Sequence, residues 1–487
     1  MLVPKEVLDF VPEDLARRLV ALPISREGDV LTVAISDPLN VTAFDLLEQT
    51  TGLRVNLVAA AHGEILQAVD RLYDSGQTVG QLVDELLAME GEDLAEATET
   101  DAPTIRLADR ILAEAVSSGA SDIHLHPEDK ILRIRFRRDG ELDAGYLVPN
   151  SIQPALTARF KILGGMDIAE SRRTQGGRGS VLVAGREIGL RFSSLPTAFG
   201  ESLVIRILDR RSVSSTFGAL GFEQGLETRF GRLLALPHGV ILVTGPTGSG
   251  KTTSLYTALG MIDGSTHGIF TLEDPVEYQL PLVRQTQVND TLGLSFAEGL
   301  RTLLRQDPDV ILVGETRDPE TAQLMVRAAL TGHLVFSTLH TNDALGSIPR
   351  LLDLGVPPFL LAPTLIGVLA QRLVRRLCPR CREPAPEDLG LLVALSGGTE
   401  PTADARTFRA RGCGYCRGIG YSGRTGIHEL LVVDEALRSA IASSAPSARL
   451  MEIAKAGGFR TMLEDGLGKA SRGITSLEEV VRSVGTE

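Results

Sequence analysis

A glycine-rich turn between an apolar run and a helical stretch constrains the fold of this chain more than any other feature. The residues VILVTGPTGSGKTT (240–253) fit the pattern G-x-x-x-x-G-K-[S/T], and they stand in the strand–turn–helix order that the pattern requires. Such a loop turns its backbone N–H groups towards phosphates, and the amino terminus of the helix adds positive potential. The sequence therefore predicts a site for a nucleoside triphosphate.

The predicted site holds ATP and Mg²⁺. Lys251 is expected to reach the β- and γ-phosphates, and Thr252 is expected to ligate Mg²⁺. The residues assigned to nucleotide binding are Gly245, Pro246, Thr247, Gly248, Ser249, Gly250, Lys251, Thr252 and Thr253.

Length and composition predict several domains with packed cores. The chain has 487 residues, of which 43% are hydrophobic, and a net charge of -13. The length is typical of about three domains, and the acidic balance argues against a general nucleic-acid binder. No uninterrupted apolar run reaches the roughly 20 residues that span a bilayer, so we expect a cytoplasmic protein. The nearest candidate, 354–371, contains three prolines and is expected to be a buried helical segment.

The pattern along the chain separates domains from linkers. Residues 223–370 alternate apolar runs with helical stretches, which is typical of a doubly wound α/β domain. Between Arg71 and Arg106 there is no Lys or Arg but nine Asp or Glu, which predicts an acidic linker; the first half of this block fits a solvated helix equally well. The predicted order is a small α+β domain (1–75), the acidic linker (76–103), a second α+β domain (104–208), a linker (209–222), the α/β core (223–370), a cysteine lobe (371–430) and a helical region (431–487).

Two carboxylates follow apolar runs in the predicted α/β domain. Glu273 ends the run in GIFTLEDPVEY, and Glu315 comes soon after the run in DPDVILVGETRD. Open α/β sheets build their sites at the carboxyl ends of strands, so both are expected near the phosphates. One would hold Mg²⁺ or its waters and the other would orient or deprotonate the attacking water. The sequence leaves open which residue does which.

Two histidines flank the apolar run of TGHLVFSTLH. An odd separation places His333 and His340 on opposite faces of a strand, unless the chain leaves the strand between them. Beside an ATP site, both are expected to sense the γ-phosphate through hydrogen bonds. Without a third ligand they do not indicate a metal site.

Two CxxC pairs predict a metal site. The four cysteines are Cys378, Cys381, Cys413 and Cys416. In a reducing compartment this pattern favours metal over disulfides, and four thiolates suit tetrahedral Zn²⁺ in a structural role. The 31 residues between the pairs exceed the roughly 15–20 of compact zinc ribbons, which predicts an excursion in the enclosed loop.

The stretch KILRIRFRRDG (130–140) alternates apolar residues with arginines, which predicts a half-exposed strand. The arginines also permit a nucleic-acid interpretation. Phe136 is the only aromatic residue among them and no series of stacking aromatics is present, so the solvent-facing side of a sheet is the favoured interpretation.

Several segments, taken in order, resemble the secretion ATPases of the type II secretion and type IV pilus superfamily. They are GPTGSGKTTSLY, TLEDPVEY, LRQDPDVILVGETRD, TGHLVFSTLHTNDA and GYSGRTGIHEL. The resemblance covers roughly residues 104–487, and the opening domain is similar to the family's N-terminal domain. It implies an α/β multidomain fold assembled as a homo-hexamer. A RecA-like P-loop ATPase core with a zinc-binding lobe would follow a PAS-like α+β domain and a small N-terminal α+β domain.

The resemblance also assigns site residues. The stretch LRFSSLPTAFGESLVIRIL matches one that supplies arginines to the nucleotide, so Arg191 and Arg206 are expected to offset charge on the γ-phosphoryl group. The sequence departs from the family pattern at His126, where Glu is usual, and at Thr316, where Ile is usual. The other matched positions are Glu273 in the Asp box, Glu315 in the Walker B segment, and His333 and His340 in the His box.

These features predict an ATPase motor for pseudopilus assembly and protein secretion by a type II secretion system. ATP would be hydrolysed between the two shared domains, whose closing and opening would do the work. Residues 1–75 are expected to bind the cytoplasmic domain of an inner-membrane platform protein, which would hold the chain at the cytoplasmic face of the inner membrane.

The cysteine tetrad argues against a retraction motor, and the single N-terminal region favours secretion. The leading motif of cyclic-di-GMP-binding versions of this region is missing, so that ligand is not predicted.

Three alternatives remain at the level of sequence. The first is a type IV pilus extension ATPase. The second is a P-loop nucleic-acid translocase, although no nucleic-acid partner is expected from a chain with a net charge of -13 and no Trp. The third is a nucleotide-gated scaffold with little turnover.

Overall fold

The computed structural model divides the chain into two compact units, Met1–Arg210 and Arg211–Glu487. The structure describes residues 5–8, 10–38, 40–72, 79, 82–83, 103–183, 186–208, 216–396 and 406–485. Each hydrophobic cluster of these residues lies within one unit.

The N-terminal domain packs helices against a three-stranded sheet. Its strands are β1 (Ala21–Glu27), β2 (Val30–Ile35) and β3 (Arg54–Ala59), and its helices are α1 (Lys5–Leu8), α2 (Glu13–Leu19), α3 (Val41–Thr51) and α4 (His62–Leu72). Strand β2 pairs antiparallel with β1 and parallel with β3. In β2, which contains most of the run DVLTVAIS, Leu31 and Val33 are buried and alternate with the partly buried Val30 and Thr32, and the strand ends in the buried Ala34 and Ile35. The predicted α+β character of this region is therefore confirmed.

The second domain is a seven-stranded antiparallel sheet. The spatial order is β6-β5-β4-β10-β9-β8, and β7 pairs with β5. The strands are β4 (Asp122–Pro127), β5 (Ile131–Arg138), β6 (Glu141–Leu142), β7 (Tyr146–Pro149), β8 (Gln175–Val183), β9 (Arg186–Thr197) and β10 (Gly200–Leu208). Helices α5 (Pro103–Ser117) and α6 (Gln153–Leu163) contribute Leu107, Ile111 and Phe160 to the core on one face of the sheet.

Strand β5 alternates as predicted. Its even-numbered apolar residues are buried, whereas Arg133, Arg135 and Arg137 lie on the other face and are partly exposed. Arg133 Nε lies 2.6 Å from Glu128. Arg138, at the end of the strand, instead lies on the side of Phe136 and pairs with Glu114 of the helix Pro103–Ser117 at 3.2 Å. The solvent-facing interpretation of this strand is therefore confirmed.

The acidic block begins with residues that belong to the second domain. Val79, Leu82 and Val83 are helical and buried in the same cluster as Leu107. A solvated helix, which the sequence allowed for the first half of the block, is wrong at these three positions. The predicted linker in its second half lies outside the described residues.

The core of the second unit is a seven-stranded sheet in the order β13-β12-β14-β15-β11-β16-β19. All neighbouring pairs are parallel except β16 with β19. The strands are β11 (Gly239–Thr244), β12 (Ile269–Glu273), β13 (Val283–Gln287), β14 (Val310–Val313), β15 (Leu334–Leu339), β16 (Leu365–Leu377) and β19 (Tyr421–Val432). Strands β11, β14 and β15 are buried along their whole length, because helices cover both faces of a doubly wound sheet.

The helices of this core follow the strands in the expected alternation. They are α7 (Gln224–Leu234), α8 (Lys251–Met261), α9 (Phe296–Leu303), α10 (Pro319–Leu330), α11 (Ser347–Asp353) and α12 (Pro358–Thr364). The doubly wound domain predicted from the sequence is therefore confirmed.

Three predicted boundaries of this core need correction. The segment 354–371 is a short helix, α12, followed by strand β16, whose apolar residues fill the sheet. The sheet extends past the predicted limit of 370, because β16 ends at Leu377 and β19 lies at Tyr421–Val432. The cysteine lobe lies between these two strands in the sequence. Within the predicted linker 209–222, Phe217 and Phe222 are buried in the core of the second unit.

The cysteine lobe and a helical region complete the chain. The lobe contains β17 (Glu383–Pro384), β18 (Phe408–Arg409) and α13 (Leu389–Leu395). The C-terminal region is helical as predicted, with α14 (Glu435–Ala442), α15 (Ser447–Ala456), α16 (Met462–Ala470) and α17 (Leu477–Val484). No helix in the described ranges combines the length and the apolar content of a bilayer-crossing segment.

Candidate active site

The glycine-rich turn joins β11 to α8 at the carboxyl edge of the sheet. Its glycines adopt backbone angles that favour glycine, with φ of 142° at Gly245 and 87° at Gly250. Gly250 is the N-cap of α8, and no side chain caps the helix there. The first N–H groups of α8 are thus left for an anion, as in other phosphate-binding loops. Lys251 Nζ donates to the carbonyl oxygens of Gly245 at 2.7 Å and Pro246 at 3.1 Å, which places the ammonium group over the loop.

Strand β16 supports the loop from the neighbouring position in the sheet. Gln371 is buried, and its Nε2 donates to the carbonyl oxygen of Ser249 at 2.7 Å. A Cβ atom at Gly245 would lie 2.4 Å from the carbonyl oxygen of Gln371, so only glycine fits this approach. Sequence reasoning missed Gln371, because it lies far along the chain from the motif that it supports.

Glu315 faces the loop lysine. Burial lowers the pKa of Lys251, and the negative charge of Glu315 opposes that shift. The Nε2 atom of His340 lies 3.6 Å from Glu315 Oε2, and Arg317 Nε lies 2.6 Å from the same oxygen. Three potential cations, Lys251, His340 and Arg317, therefore lie near one carboxylate beside the phosphate loop.

Glu273 has a different environment. Its side chain is 4% exposed, and both carboxylate oxygens accept hydrogen bonds from protein groups. Tyr256 on α8 donates to Oε2, while Thr271 at 2.5 Å and Gln285 at 3.1 Å donate to Oε1. Burial and the neighbouring Glu273 raise the pKa of Tyr256, so its hydroxyl stays a donor. Glu273 thus holds α8, β12 and β13 together in the described structure.

The structure separates the two histidines. Strand β15 lies parallel to β11, so that Leu334 pairs with Gly239 and Leu339 pairs with Thr244. His340 follows the carboxyl end of β15, where the phosphate loop begins, whereas His333 precedes its amino end. The two positions are about 20 Å apart along an extended strand. His333 Nδ1 instead lies 2.7 Å from the carbonyl oxygen of Ala328, so the prediction that both histidines approach the phosphate is wrong within one chain.

The family departure at Thr316 is accommodated locally. The Thr316 hydroxyl is buried and lies 2.8 Å from the Ser337 hydroxyl on β15. The two hydroxyls form a hydrogen bond with each other, so burying the polar side chain of Thr316 costs little free energy of folding.

The two predicted arginines lie side by side on the second domain. Arg191 on β9 is the register partner of Arg206 on β10, and Asp122 on β4 is the next residue in the same row. Arg206 Nε donates to Asp122 Oδ1 at 3.0 Å. The row lies on the face opposite the domain's apolar core, because Ile205 and Phe192, one residue away, are buried. A phosphate contact by Arg191 and Arg206 stays a prediction.

The four cysteines converge as predicted. Their sulfur atoms all lie within 4.8 Å of one another. The Sγ atoms of Cys381 and Cys416 are 3.6 Å apart, and those of Cys413 and Cys416 are 3.7 Å apart. Tetrahedral zinc with Zn–S bonds of roughly 2.3 Å has sulfurs about 3.8 Å apart, so the cluster fits this ion.

The environment of one of these sulfurs favours a thiolate. Burial opposes ionisation of Cys416, but the N–H groups of Cys413 and Gly420 donate to its sulfur at 3.1 and 3.2 Å. These bonds and the neighbouring thiols lower the pKa of Cys416 to about 6. A thiolate is the form of cysteine that binds metal.

Comparison with known proteins gives a consistent family. A family model described as "Type II/IV secretion system protein" matches residues 97–482, and a model of the MshEN domain matches residues 1–79. The chain is 40% identical to the type IV pilus assembly ATPase PilB of Myxococcus xanthus, over 98% of this chain and 87% of the relative. It is 48% identical to type II secretion system protein E of Pseudomonas aeruginosa, over 81% of this chain and 78% of the relative.

A solved structure supports the same fold. The chain is similar to the pilus retraction motor PilT with bound ADP, with a TM-score of 0.52 and 28% identity over 77% of this chain and 96% of that chain. The likeness confirms the predicted α/β ATPase fold.

Proposed function

We propose that the chain is the motor that drives pseudopilus assembly and protein secretion by a type II secretion system. The chain belongs to the type II/IV secretion system protein family and is an ATP hydrolase. The observation that carries the catalytic part is the position of Glu315 beside both Lys251 and His340 at the phosphate loop. The choice of type II secretion rests on relatives of that name, which are 45–48% identical to the chain.

In the proposed reaction, Glu315 orients the attacking water, and His340 donates a hydrogen bond to the γ-phosphate. Lys251 leaves the loop carbonyls for the β- and γ-phosphates when ATP binds. The Thr252 hydroxyl and a carboxylate are hard oxygen ligands that fit Mg²⁺. When bound, this ion offsets charge on the phosphates. Residues 245–253 supply the remaining nucleotide contacts.

For Arg191 and Arg206 we propose that they offset charge that develops on the γ-phosphoryl group. Glu273 positions α8 and the neighbouring strands instead of activating water, because protein donors already occupy both of its oxygens. This division is our proposal for the roles of the two carboxylates, which the sequence left open.

The assembly part of the proposal is a homo-hexamer at the cytoplasmic face of the inner membrane. Residues 1–75 would bind the cytoplasmic domain of an inner-membrane platform protein. Zn²⁺ held by the four cysteines would keep the lobe between β16 and β19 rigid. No role in nucleic-acid translocation is proposed for this family member.

Pilus extension is the second candidate, and a specific observation favours it. Relatives named PilB match 97–98% of the chain at 40–41% identity, so the similarity includes the N-terminal domain. Gene disruption separates the two functions: loss of protein secretion with pili retained supports our proposal, and the reverse result supports pilus extension.

The first test in vitro is ATP hydrolysis against protein concentration, with particle size measured in the same samples. We expect turnover per subunit to rise as a hexamer forms in the presence of a non-hydrolysable ATP analogue. Turnover that stays constant per subunit in a monomeric protein would contradict the shared site.

A further inference from the structure

The buried carboxylate of Glu429 joins the loop that follows His340 to a C-terminal helix. Its Oε1 accepts the N–H of Ala344 at 2.6 Å, and its Oε2 accepts the N–H of Met462 at 2.9 Å. Ala344 belongs to the segment 340–346, here called the His340 loop, and Met462 is the first residue of α16. Burying a carboxylate is costly unless hydrogen bonds compensate, so the loop and the helix are both held by this one group.

Helix α16 is attached to β19 at further points. The N–H of His428 donates to Asp465 Oδ2 at 2.8 Å, and Lys469 donates to the carbonyl oxygen of Gly426 at 2.8 Å. Asp465 and Lys469 form an ion pair at 2.5 Å, and both side chains are nearly excluded from water. Helix α16 and strand β19 are therefore expected to move together.

The other side of α16 is tied to the start of the second unit. The Glu223 carboxylate lies 3.2 Å from Arg460 Nη1 and 2.5 Å from Arg472 Nη2. Arg460 precedes α16 and Arg472 follows it, so Glu223 bridges both ends of the helix. Glu223 is also the N-cap residue of α7 and belongs to the first residues of this unit along the chain.

The residues just before Glu223 contact the same strand. The N–H of Gly426 donates to the carbonyl oxygen of Leu220 at 2.9 Å. The Phe222 ring lies 4.2 Å from the His428 ring, centroid to centroid. Residues 216–223, with which the described part of the second unit begins, are thus packed against β19 and α16.

We propose that α16 transmits the state of the nucleotide site to the entry segment 216–223. The route runs from the His340 loop through Glu429 to α16, and from α16 through Glu223 to the entry segment. This inference rests on the proposed contact of His340 with the γ-phosphate. A shift of His340 on ATP binding would move Ala344, and the shared carboxylate would pass the shift to α16. Each link is a direct contact, but coupling itself needs a measured response at both ends.

The test is hydrogen exchange of the full-length protein with and without Mg²⁺ and a non-hydrolysable ATP analogue, with analogue binding measured by equilibrium titration. In the wild type we expect slower exchange in 340–346, 462–470 and 216–234 on binding. Glu223→Gln should keep the first two effects and lose the third, and it should lower kcat about fivefold at unchanged KM. Glu429→Gln should keep the slower exchange in 340–346 but lose it in 462–470 and in 216–234.

The matched control is Glu452→Gln, which removes an exposed ion pair with Arg449 at 2.8 Å that lies off the route. It should behave as the wild type. Full protection of 216–234 in Glu223→Gln would overturn the inference, as would wild-type protection confined to 340–346 with normal binding. Failure of the wild type to bind the analogue would overturn the proposed function together with the inference.

Discussion

His340 and Glu315 meet at the phosphate loop: Nε2 of the histidine lies 3.6 Å from Oε2 of the carboxylate. They come from neighbouring parallel strands, β15 and β14, which both end at this edge of the sheet. A carboxylate and an imidazole at this distance can both contact one water. Which of the nearby polar residues act in hydrolysis can therefore be tested by single substitutions.

Glu315→Gln should abolish most hydrolysis while leaving nucleotide binding intact. The amide cannot accept a proton from water, so we expect a loss in kcat of roughly 10²–10⁴-fold. Steady-state hydrolysis and titration with a fluorescent ATP analogue measure the two effects. Glu298→Gln, which affects only an exposed pair with Arg301, is the control and should change neither. Full activity of Glu315→Gln would contradict the assignment.

The two histidines should differ in effect. His340→Gln removes the group beside Glu315, and we expect a loss of kcat of about 10²-fold. His333→Gln should change hydrolysis by less than about twofold, because His333 lies at the opposite edge of the sheet and contacts Ala328. The comparison uses the same substitution at both sites. Equal losses would mean that His333 reaches a nucleotide site of another subunit.

Glu273→Gln should reduce stability more than catalysis. The amide leaves a buried donor unpaired, which is expected to cost about 1–3 kcal/mol. We expect a kcat at least ten times that of Glu315→Gln. Tyr256→Phe removes one donor to the same carboxylate, so the two substitutions together should destabilise the protein by less than the sum of their effects. Thermal unfolding of both single variants and the double variant measures this coupling, and additive effects would contradict it.

The cysteine tetrad should bind one zinc ion per chain. Metal analysis of the purified full-length protein measures the stoichiometry. Removal by a chelator should speed hydrogen exchange around 408–420, because the two CxxC turns are then no longer joined by metal. Added Zn²⁺ should restore the protection. A chain that is fully folded and protected without metal would contradict this prediction.

His428 should make stability depend on pH. Burial, followed by the charge of Lys469, lowers the pKa of His428 well below its ordinary value of 6.5. The folded state therefore resists protonation, while the unfolded state takes up a proton as pH falls through about 6.5. The stabilising contribution is present above this pH and is lost below it, by about 1 kcal/mol between pH 6.5 and 5.5.

His428→Gln should remove this part of the pH dependence. The thermal transition to follow is the one that the ATP analogue shifts, because it belongs to the nucleotide-binding unit. Glu429 and Asp465 have pKa values raised by burial, which act in the opposite direction but are present in both proteins. Parallel pH profiles of variant and wild type would contradict the assignment.

The sequence by itself determined the features that are local in the chain. The phosphate loop, the strands that end at Glu273 and near Glu315, the alternating strand β5 and the paired cysteines are each contained in a short segment. Glycine positions, side-chain periodicity and the spacing of ligands can each be read within a short segment of the sequence. The structure contains these elements where they were predicted.

Only the tertiary structure decided which residues share a site. It brought Gln371 to the phosphate loop and Glu429 to the His340 loop, and it moved His333 to the opposite edge of the sheet. It also placed Phe217 in a core where a linker was predicted. These results depend on strand order and direction, which are set by packing between segments distant in the chain. No local pattern records that packing, so the partners of each local motif emerge only when the sheet is assembled.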